Sequence, residues 1–265
     1  MTWFQAIITA VVEGLTEFLP ISSTAHMKFA QAFMHVDPKD AFINMFDIVI
    51  QFAAILAVIV LYWKKFVNVR HISFYIKLLV AVIPSLVFGA LLKKHIEHIL
   101  GSITVIATIT VLGGIVLLFI DNFFKNQTIK EEPQISNGRA LKIGFFQILA
   151  IVFPGLSRSA ATIIGGMASG LTRSLAAEFS FFLAVPTMAA ATAKELLDTY
   201  KESPEVFHSS NNGMLAAGCL IAFIVSVISI KFFITYLQKH GFKVFGVYRI
   251  IAGLIILGLA LTNVI

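Results

Sequence analysis

Residues 13–26 of the chain read EGLTEFLPISSTAH and interrupt an apolar run that extends from Trp3 to Val36. Pro20 cannot continue the helix that precedes it, and the hydroxyl residues after it are typical of the start of a new helix. The pattern therefore predicts two half-helices. Backbone that leaves a helix at membrane depth is tolerated only where it is buried in protein or lines a cavity, so we expect a re-entrant hairpin. A kinked but ordinary membrane span is the alternative.

A second apolar run, Ile143–Gly170, is interrupted in the same way. From Gln147 it reads QILAIVFPGLSRSAAT, with a break at Pro154. Aligning this proline with Pro20 places Gln147 opposite Glu13 and one serine cluster beside the other. Each break is followed by three apolar stretches of membrane length. Because three is odd, the second copy must be inverted relative to the first, which predicts an inverted-topology repeat.

The uninterrupted apolar stretches are each long enough to cross a bilayer, which takes about 20 residues. There are six: Phe42–Trp63, Ser73–Leu92, Ser102–Ile120, Leu175–Leu196, Gly213–Phe233 and Phe245–Asn263. The expected fold is an all-α integral membrane protein with six transmembrane helices plus two re-entrant helical hairpins, arranged as an inverted-topology repeat. Its single membrane domain divides into repeats over about residues 1–121 and 140–265, joined by a polar linker over residues 122–139.

The composition excludes a soluble globular domain. Of the 265 residues, 58% are hydrophobic and 13% are charged, whereas soluble domains have about 45–50% and about 25%. The net charge is +6, but the basic residues are spread between apolar runs, which argues against a nucleic-acid partner. The single cysteine, Cys219, has no partner for a disulfide. Two glutamates and no basic residue precede Lys28, so the N-terminal run is expected to belong to the mature fold rather than to a signal peptide.

The basic residues are divided unevenly between the two sides of this topology. Thirteen fall on one side, namely Lys64, Lys65, Arg70, Lys77, Lys125, Lys130, Arg139, Lys142, Arg173, Lys231, Lys239, Lys243 and Arg249. Six fall on the other, namely Lys28, Lys39, Lys93, Lys94, Lys194 and Lys201. By the positive-inside rule the first side is cytoplasmic, so both termini and the mouth of the first hairpin are expected to face outside.

Glu13 and Glu17 are spaced i, i+4 in an apolar half-helix, so both carboxylates lie on one helix face. A charge at bilayer depth costs about 2.5–3.5 kcal/mol on insertion scales, so such residues face the protein interior and indicate a functional site. A shallow helix that leaves one carboxylate at the wet surface is the alternative.

The first break continues with three hydroxyl residues, Ser22, Ser23 and Thr24, and His26 follows two residues after Thr24. Helix capping explains one hydroxyl but not three in succession. Ser23 and His26 are spaced i, i+3 on one face, which favours a nucleophile beside a base, although a lone histidine can also be structural.

The second break carries Arg158, which we expect to be the only cation deep in the membrane. Ser157, Ser159 and Thr162 surround it at the start of a half-helix, where backbone N–H groups and the helix dipole favour an anion. A guanidinium can bind a phosphate through two parallel hydrogen bonds. The alternative is an internal salt bridge from Arg158 to one of the two glutamates.

These two motifs, Glu13 to His26 and Pro154 to Thr162, resemble those of the bacterial undecaprenyl-diphosphate phosphatase family, also called bacitracin-resistance proteins. The similarity covers essentially the whole chain, with Ala25 where the family often has glycine. The resemblance implies a bacterial plasma-membrane enzyme that hydrolyses undecaprenyl diphosphate to undecaprenyl phosphate and inorganic phosphate. It would recycle the lipid carrier for peptidoglycan synthesis and lower bacitracin sensitivity. It also implies a divalent cation, magnesium or calcium, as cofactor.

Under this interpretation the residues divide into catalytic and substrate-binding groups. The expected catalytic residues are Glu13, Glu17, Ser23, His26 and Arg158, and the expected metal ligands are Glu13 and Glu17. The expected substrate-binding residues are Ser22, Thr24, Gly155, Ser157, Arg158, Ser159 and Thr162. The nucleophile stays open between Ser23 with His26 as its base, His26 itself, and water.

The partners expected are the isoprenoid diphosphate lipid and membrane lipids, while a homodimer stays open. A transporter or flippase for an anionic isoprenoid lipid is the competing function, because paired broken helices at mid-membrane are also a transporter architecture. The Ser23 and His26 pair favours hydrolysis, since transport needs neither a nucleophile nor a base.

Overall fold

The computed structural model describes residues 1–37, 40–67, 72–92, 102–208 and 211–262. In these residues the regular elements are helical, apart from one isolated bridge between Ile129 and Leu171. The helices are α1 Trp3–Thr16, α2 Ser23–Phe33, α3 Ala41–Leu61, α4 Trp63–Val67, α5 Ile72–Leu91, α6 Ile103–Phe123, α7 Asn137–Val152, α8 Arg158–Ala168, α9 Arg173–Glu202, α10 Asn212–Lys239 and α11 Lys243–Leu261. Short 3-10 segments lie at Glu132–Gln134 and Pro204–His208. The predicted all-α class is confirmed.

Six of these helices are long and apolar enough to cross a membrane: α3, α5, α6, α9, α10 and α11. They coincide with the six predicted spans, so the protein is a multi-pass membrane protein. The predicted ends are wrong for α9 and α10, which continue to Glu202 and Lys239. Polar side chains occupy these last turns, such as the Lys194–Asp198 pair at i, i+4, and a polar helical turn carries no hydropathy signal.

Each interrupted run forms two short helices. The first run gives α1 and α2, with 14 and 11 residues, and the second gives α7 and α8, with 16 and 11 residues. At about 1.5 Å per residue, none of them alone crosses a hydrocarbon core of about 30 Å. The return of each run to the side it enters from stays a prediction.

The two breaks share one capping geometry. Ser22 and Ser157 precede α2 and α8 with positive φ angles of 74° and 80°. Their hydroxyls accept hydrogen bonds from Ala25 N at 3.3 Å and Ala160 N at 3.2 Å. The same local chemistry therefore starts both inner half-helices, as the aligned serine clusters predict.

Helix α6 packs closely against α11. A Cβ on Gly114 would lie 2.8 Å from the Gly246 carbonyl oxygen, and a Cβ on Gly246 would lie 2.9 Å from that of Gly114. Seven residues earlier on α6, Ala107 meets Gly253 in the same way, so the two helices run antiparallel. Two further pairs of packed helices correspond between the halves, because α1 packs on α2 and α10 just as α7 packs on α8 and α5.

The segment between α6 and α7 is anchored rather than freely solvated. The ammonium of Lys77 on α5 is buried and lies 2.8 Å from the Glu132 carboxylate. Thr172 donates a hydrogen bond from its backbone N–H to the Ile129 carbonyl at 2.9 Å. The segment itself is shorter than the predicted linker, since α7 begins at Asn137.

One basic residue in the orientation count was misassigned. Arg249 is fully buried inside the protein, so it says nothing about either side of the membrane. Without Arg249, twelve basic residues fall on the predicted cytoplasmic side and six on the other side. Lys39, Arg70, Lys93 and Lys94 lie outside the described residues.

Candidate active site

The two helix breaks meet inside the bundle. Arg158 Nη2 at the start of α8 lies 2.8 Å from Glu17 Oε1 at the end of α1. Ser159 Oγ donates a hydrogen bond to the Leu19 carbonyl at 2.8 Å. The acidic and the basic motif, more than a hundred residues apart in sequence, therefore form one site, and Arg158 pairs with Glu17 rather than with Glu13.

Glu17 also orients Ser23. The Ser23 hydroxyl donates to Glu17 Oε2 at 2.5 Å, so one carboxylate oxygen accepts from the serine and the other from Arg158. All three groups are mostly buried, with 6% of Ser23 and 7% of Glu17 exposed. A carboxylate held this way can accept the proton of an attacking hydroxyl.

The hydrogen bonds of His26 go to groups other than Ser23, so its predicted pairing with Ser23 stays a prediction. Its Nδ1 lies 2.7 Å from the Ser22 carbonyl oxygen, which can only accept, so Nδ1 carries the proton. Its Nε2 then accepts from the Tyr248 hydroxyl at 2.8 Å, and the two rings stack with centroids 5.5 Å apart. Helical spacing alone missed this arrangement, because the competing partners are a backbone carbonyl and a residue on α11.

Glu13 is buried and isolated from hydrogen-bond donors. Its side chain is fully buried, and within the described residues neither carboxylate oxygen has a hydrogen-bond partner. Glu17 and Asp47 are its acidic neighbours. A buried carboxylate without a donor is costly, so this position calls for a bound cation or a proton.

The described residues contain no group of three or more His, Cys, Asp and Glu side chains arranged to hold a metal ion. Glu13 and Glu17 together still fit a hard divalent cation, because magnesium is usually bound by one or two carboxylates with substrate phosphate oxygens and water as the other ligands. The unpartnered oxygens of Glu13 are the observation that favours this fit.

The second break supplies donors around Arg158. The guanidinium Nη1 donates to the Ser180 carbonyl at 3.2 Å, while its buried Nε has no partner among the described residues. Ser157 and Ser159 hydroxyls lie 2.9 Å apart at the N-terminus of α8. Thr162 contacts the Ser180 hydroxyl at 2.6 Å, so it supports the turn rather than lining an open pocket.

Two predicted binding residues have structural roles in this arrangement. Gly155 has φ +101°, and a Cβ there would lie 2.8 Å from the Ile106 carbonyl oxygen, so it allows the break itself. Ser22 caps α2, and Thr24 is half-buried in the first turn of that helix.

Sequence reasoning missed a second buried polar group beside the site. Gln31 Nε2 donates to both oxygens of Asp47, at 2.7 and 2.9 Å, and Lys28 Nζ lies 3.5 Å from the same carboxylate. The i, i+3 spacing of Lys28 and Gln31 on α2 was the available signal.

It also missed Arg249, so the expectation that Arg158 is the only deep cation is wrong. The Arg249 guanidinium donates to the carbonyls of Thr110, Pro20, Leu156 and Gly155 at 3.2, 3.1, 2.7 and 2.8 Å. Arg249 was missed because it lies near the start of an apolar run. An arginine at such a position is expected to extend its side chain to the membrane interface rather than to be buried.

The fold and the site define a class, that of multi-pass membrane proteins whose polar site is built where two interrupted helices meet. Residues 6–255 match the family described as "Bacitracin resistance protein BacA". The chain belongs to this family.

Curated relatives cover nearly the whole chain. A protein of Flavobacterium johnsoniae named "Undecaprenyl-diphosphatase" is 50% identical over 97% of this chain and 96% of its own length. Proteins with the same name from Bdellovibrio bacteriovorus and Porphyromonas gingivalis strain W83 are 45% and 44% identical. They cover 99% and 100% of this chain, and 98% and 99% of their own lengths.

Proposed function

We propose that the protein is a plasma-membrane enzyme that hydrolyses undecaprenyl diphosphate to undecaprenyl phosphate and inorganic phosphate. The observation that carries the proposal is the contact of Ser23, Glu17 and Arg158 across the two breaks. The names of the relatives support the substrate, and they give no support to the transporter or flippase alternative. Hydrolysis would recycle the lipid carrier and lower bacitracin sensitivity.

The second break binds the diphosphate in this proposal. Arg158 supplies a planar guanidinium, and the N-terminus of α8 supplies backbone N–H groups with a favourable dipole. Ser157 and Ser159 add hydroxyl donors at the same helix end. Binding makes Arg158 exchange part of its contact with Glu17 for phosphate oxygens, which frees Glu17 for proton transfer.

Ser23 is the proposed nucleophile. Its Oγ attacks the terminal phosphorus while Glu17 Oε2 accepts the hydroxyl proton, and the bond from phosphorus to the bridging oxygen breaks. Undecaprenyl phosphate leaves, and water then hydrolyses the phosphoserine, returning the proton to the serine oxygen. The 2.5 Å bond between Ser23 and Glu17 favours Glu17 over His26 as the base.

His26 has a positioning role in this scheme. Through Ser22 it fixes the first turn of α2, on which Ser23 stands, and Tyr248 holds its ring from the other side. Glu13 and Glu17 are proposed to hold a magnesium or calcium ion. A bound cation would neutralise charge on the phosphoryl oxygens.

The site and both termini are proposed to face outside the cytoplasmic membrane. The excess of basic residues on the opposite side supports this orientation. An outward site would meet undecaprenyl diphosphate in the outer leaflet.

The function is tested with purified protein in detergent and a long-chain isoprenoid diphosphate, by measuring phosphate release. We expect turnover in the parent protein and a loss of at least 100-fold in Ser23→Ala, because general-base and nucleophile effects have about this size. Ser169→Ala is the matched control, since its hydroxyl donates to Gly165 at the far end of α8. Undiminished release by Ser23→Ala would remove Ser23 from the chemistry.

A further inference from the structure

Arg249 connects both helix breaks through backbone carbonyls. Its fully buried guanidinium reaches Pro20 in the first break, and Gly155 and Leu156 in the second. Its Nε donates to Thr110 on α6. In the part of the chain that the structure describes, its hydrogen bonds all go to backbone carbonyls and none to a carboxylate.

These carbonyls need a donor from elsewhere in the protein. Those of Pro20, Gly155 and Leu156 lie in the non-helical breaks after α1 and α7, where no helix supplies a hydrogen-bond donor. At membrane depth no bulk water replaces those partners. A guanidinium has five N–H donors in a rigid planar fork and can serve several carbonyls at once, whereas an ammonium is a single compact charge on a flexible stem.

The carbonyls are also close in sequence to the reacting groups. Pro20 stands three residues after Glu17 and three before Ser23, and Leu156 stands two residues before Arg158. The Arg249 guanidinium is therefore hydrogen-bonded to backbone beside the reacting groups of both breaks.

The two direct contacts between the breaks, Arg158 with Glu17 and Ser159 with the Leu19 carbonyl, both use side chains that the proposed chemistry assigns to substrate binding or proton transfer. Glu17 and Arg158 are held together in the structure, but the proposed chemistry requires both to engage substrate. The Arg249 hydrogen bonds go to backbone carbonyls, which an anionic phosphate does not compete for.

Helix α6 leaves space for this guanidinium. A Cβ on Gly113 would lie 2.3 Å from Arg249 Nη2 and 2.9 Å from Cζ. Alanine at this position would push the guanidinium away from its carbonyls without changing Arg249 itself.

We infer that Arg249 is a positioning residue, which holds the two breaks in the alignment that brings Ser23 to the phosphorus bound by Arg158. The inference rests on the proposed function. A misplacement of about 1 Å can cost roughly 100-fold in rate. We expect this loss in kcat more than in KM, because the groups proposed to bind the diphosphate are unchanged.

The first test compares the kinetics of Arg249→Lys, Gly113→Ala and Gly258→Ala. We expect kcat to fall roughly 10- to 100-fold in the first two variants, with KM within about threefold, because the phosphate-binding groups remain. Lysine is not expected to rescue, since one ammonium cannot reach the carbonyls of both breaks. A Cβ on Gly258, which lies on α11, would have no neighbouring atom within 4 Å, so Gly258→Ala should keep the parent kcat.

The second test needs no activity. Spin labels at Leu15→Cys and Leu149→Cys, in a Cys219→Ala background, stand on exposed faces of α1 and α7 close to the breaks. We expect one narrow distance distribution in the parent and with Gly258→Ala, and a shifted or broadened one with Arg249→Lys and Gly113→Ala.

The two readouts separate the possible failures. Parent kcat together with the parent distance distribution in Arg249→Lys and Gly113→Ala would overturn the inference. A lower unfolding temperature with unchanged kcat per folded molecule would also overturn it, because the role would then be structural only. If Arg249→Lys does not fold, Gly113→Ala decides. If the parent releases no phosphate, the proposed function fails, and the distance distributions alone decide whether Arg249 aligns the breaks.

Discussion

Glu17 connects the two halves of the site. One of its carboxylate oxygens accepts a hydrogen bond from the proposed nucleophile Ser23, and the other accepts one from the Arg158 guanidinium. Removing its charge while keeping its shape should therefore disable proton transfer. We expect Glu17→Gln to lose at least 100-fold in turnover, the usual size of a general-base effect, as measured by phosphate release. Turnover within twofold of the parent would assign the base to another group.

Glu13 should behave differently, because its buried carboxylate has no donor among the described residues. Glu13→Gln removes an unpaired buried charge, so the unfolding temperature should stay equal or rise while turnover falls. Thermal unfolding and phosphate release with and without added magnesium measure the two effects. A variant that keeps full, chelator-sensitive activity would exclude Glu13 from the cation site.

Arg158 offers a third test at this scale. Arg158→Lys keeps the charge but loses the planar fork that suits a phosphate, so we expect kcat/KM to fall roughly tenfold or more. If the only role of Arg158 were its pair with Glu17, the lysine variant should stay active, and Arg158→Leu combined with Glu17→Leu should fold as well as the parent.

At the scale of elements, the breaks could be predicted and their partners could not. A proline followed by hydroxyl residues marks the end of one helix and the N-cap of the next. Pro20 and Ser22 were therefore sufficient to predict the first break from the sequence. The Tyr248 partner of His26 and the buried Arg249 both lie on α11. This helix is more than 200 residues away in sequence from the first break that it contacts. No local spacing carries that information.

Gly155 tests whether the second break needs its unusual backbone. A side chain there would be strained at φ +101° and would meet the Ile106 carbonyl at 2.8 Å. We expect Gly155→Ala to lose about 1–3 kcal/mol of stability, the usual cost of such strain, or to fold in lower yield. Gly258→Ala serves as the control, and equal unfolding temperatures would show that the break tolerates a side chain.

For the whole molecule, the matching packing order of the two halves is what an inverted repeat predicts. Composition and hydropathy were enough for six spans and an all-α class. The polar ends of α9 and α10 were not predictable this way, because a membrane protein's helices continue into water where hydrophobicity no longer identifies them.

Orientation is tested by labelling single cysteines in a Cys219→Ala background. Ser203→Cys, after α9, is expected to react with an impermeant thiol reagent added to intact cells, whereas Asn126→Cys, after α6, is not. Permeabilised cells control for intrinsic reactivity. The reverse pattern would invert the protein in the membrane, and labelling of both from outside would contradict the topology.

The central claim, that the two breaks form a phosphatase site with Ser23 as nucleophile, is tested most directly by trapping the enzyme within its first turnover. Protein in excess is mixed with isoprenoid diphosphate labelled at its terminal phosphorus, quenched with acid and mapped by peptide. We expect an acid-stable label on Ser23 that forms and decays at the rate of turnover and is absent from Ser23→Ala. An acid-labile label on His26, or phosphate released with no label on Ser23, would contradict it.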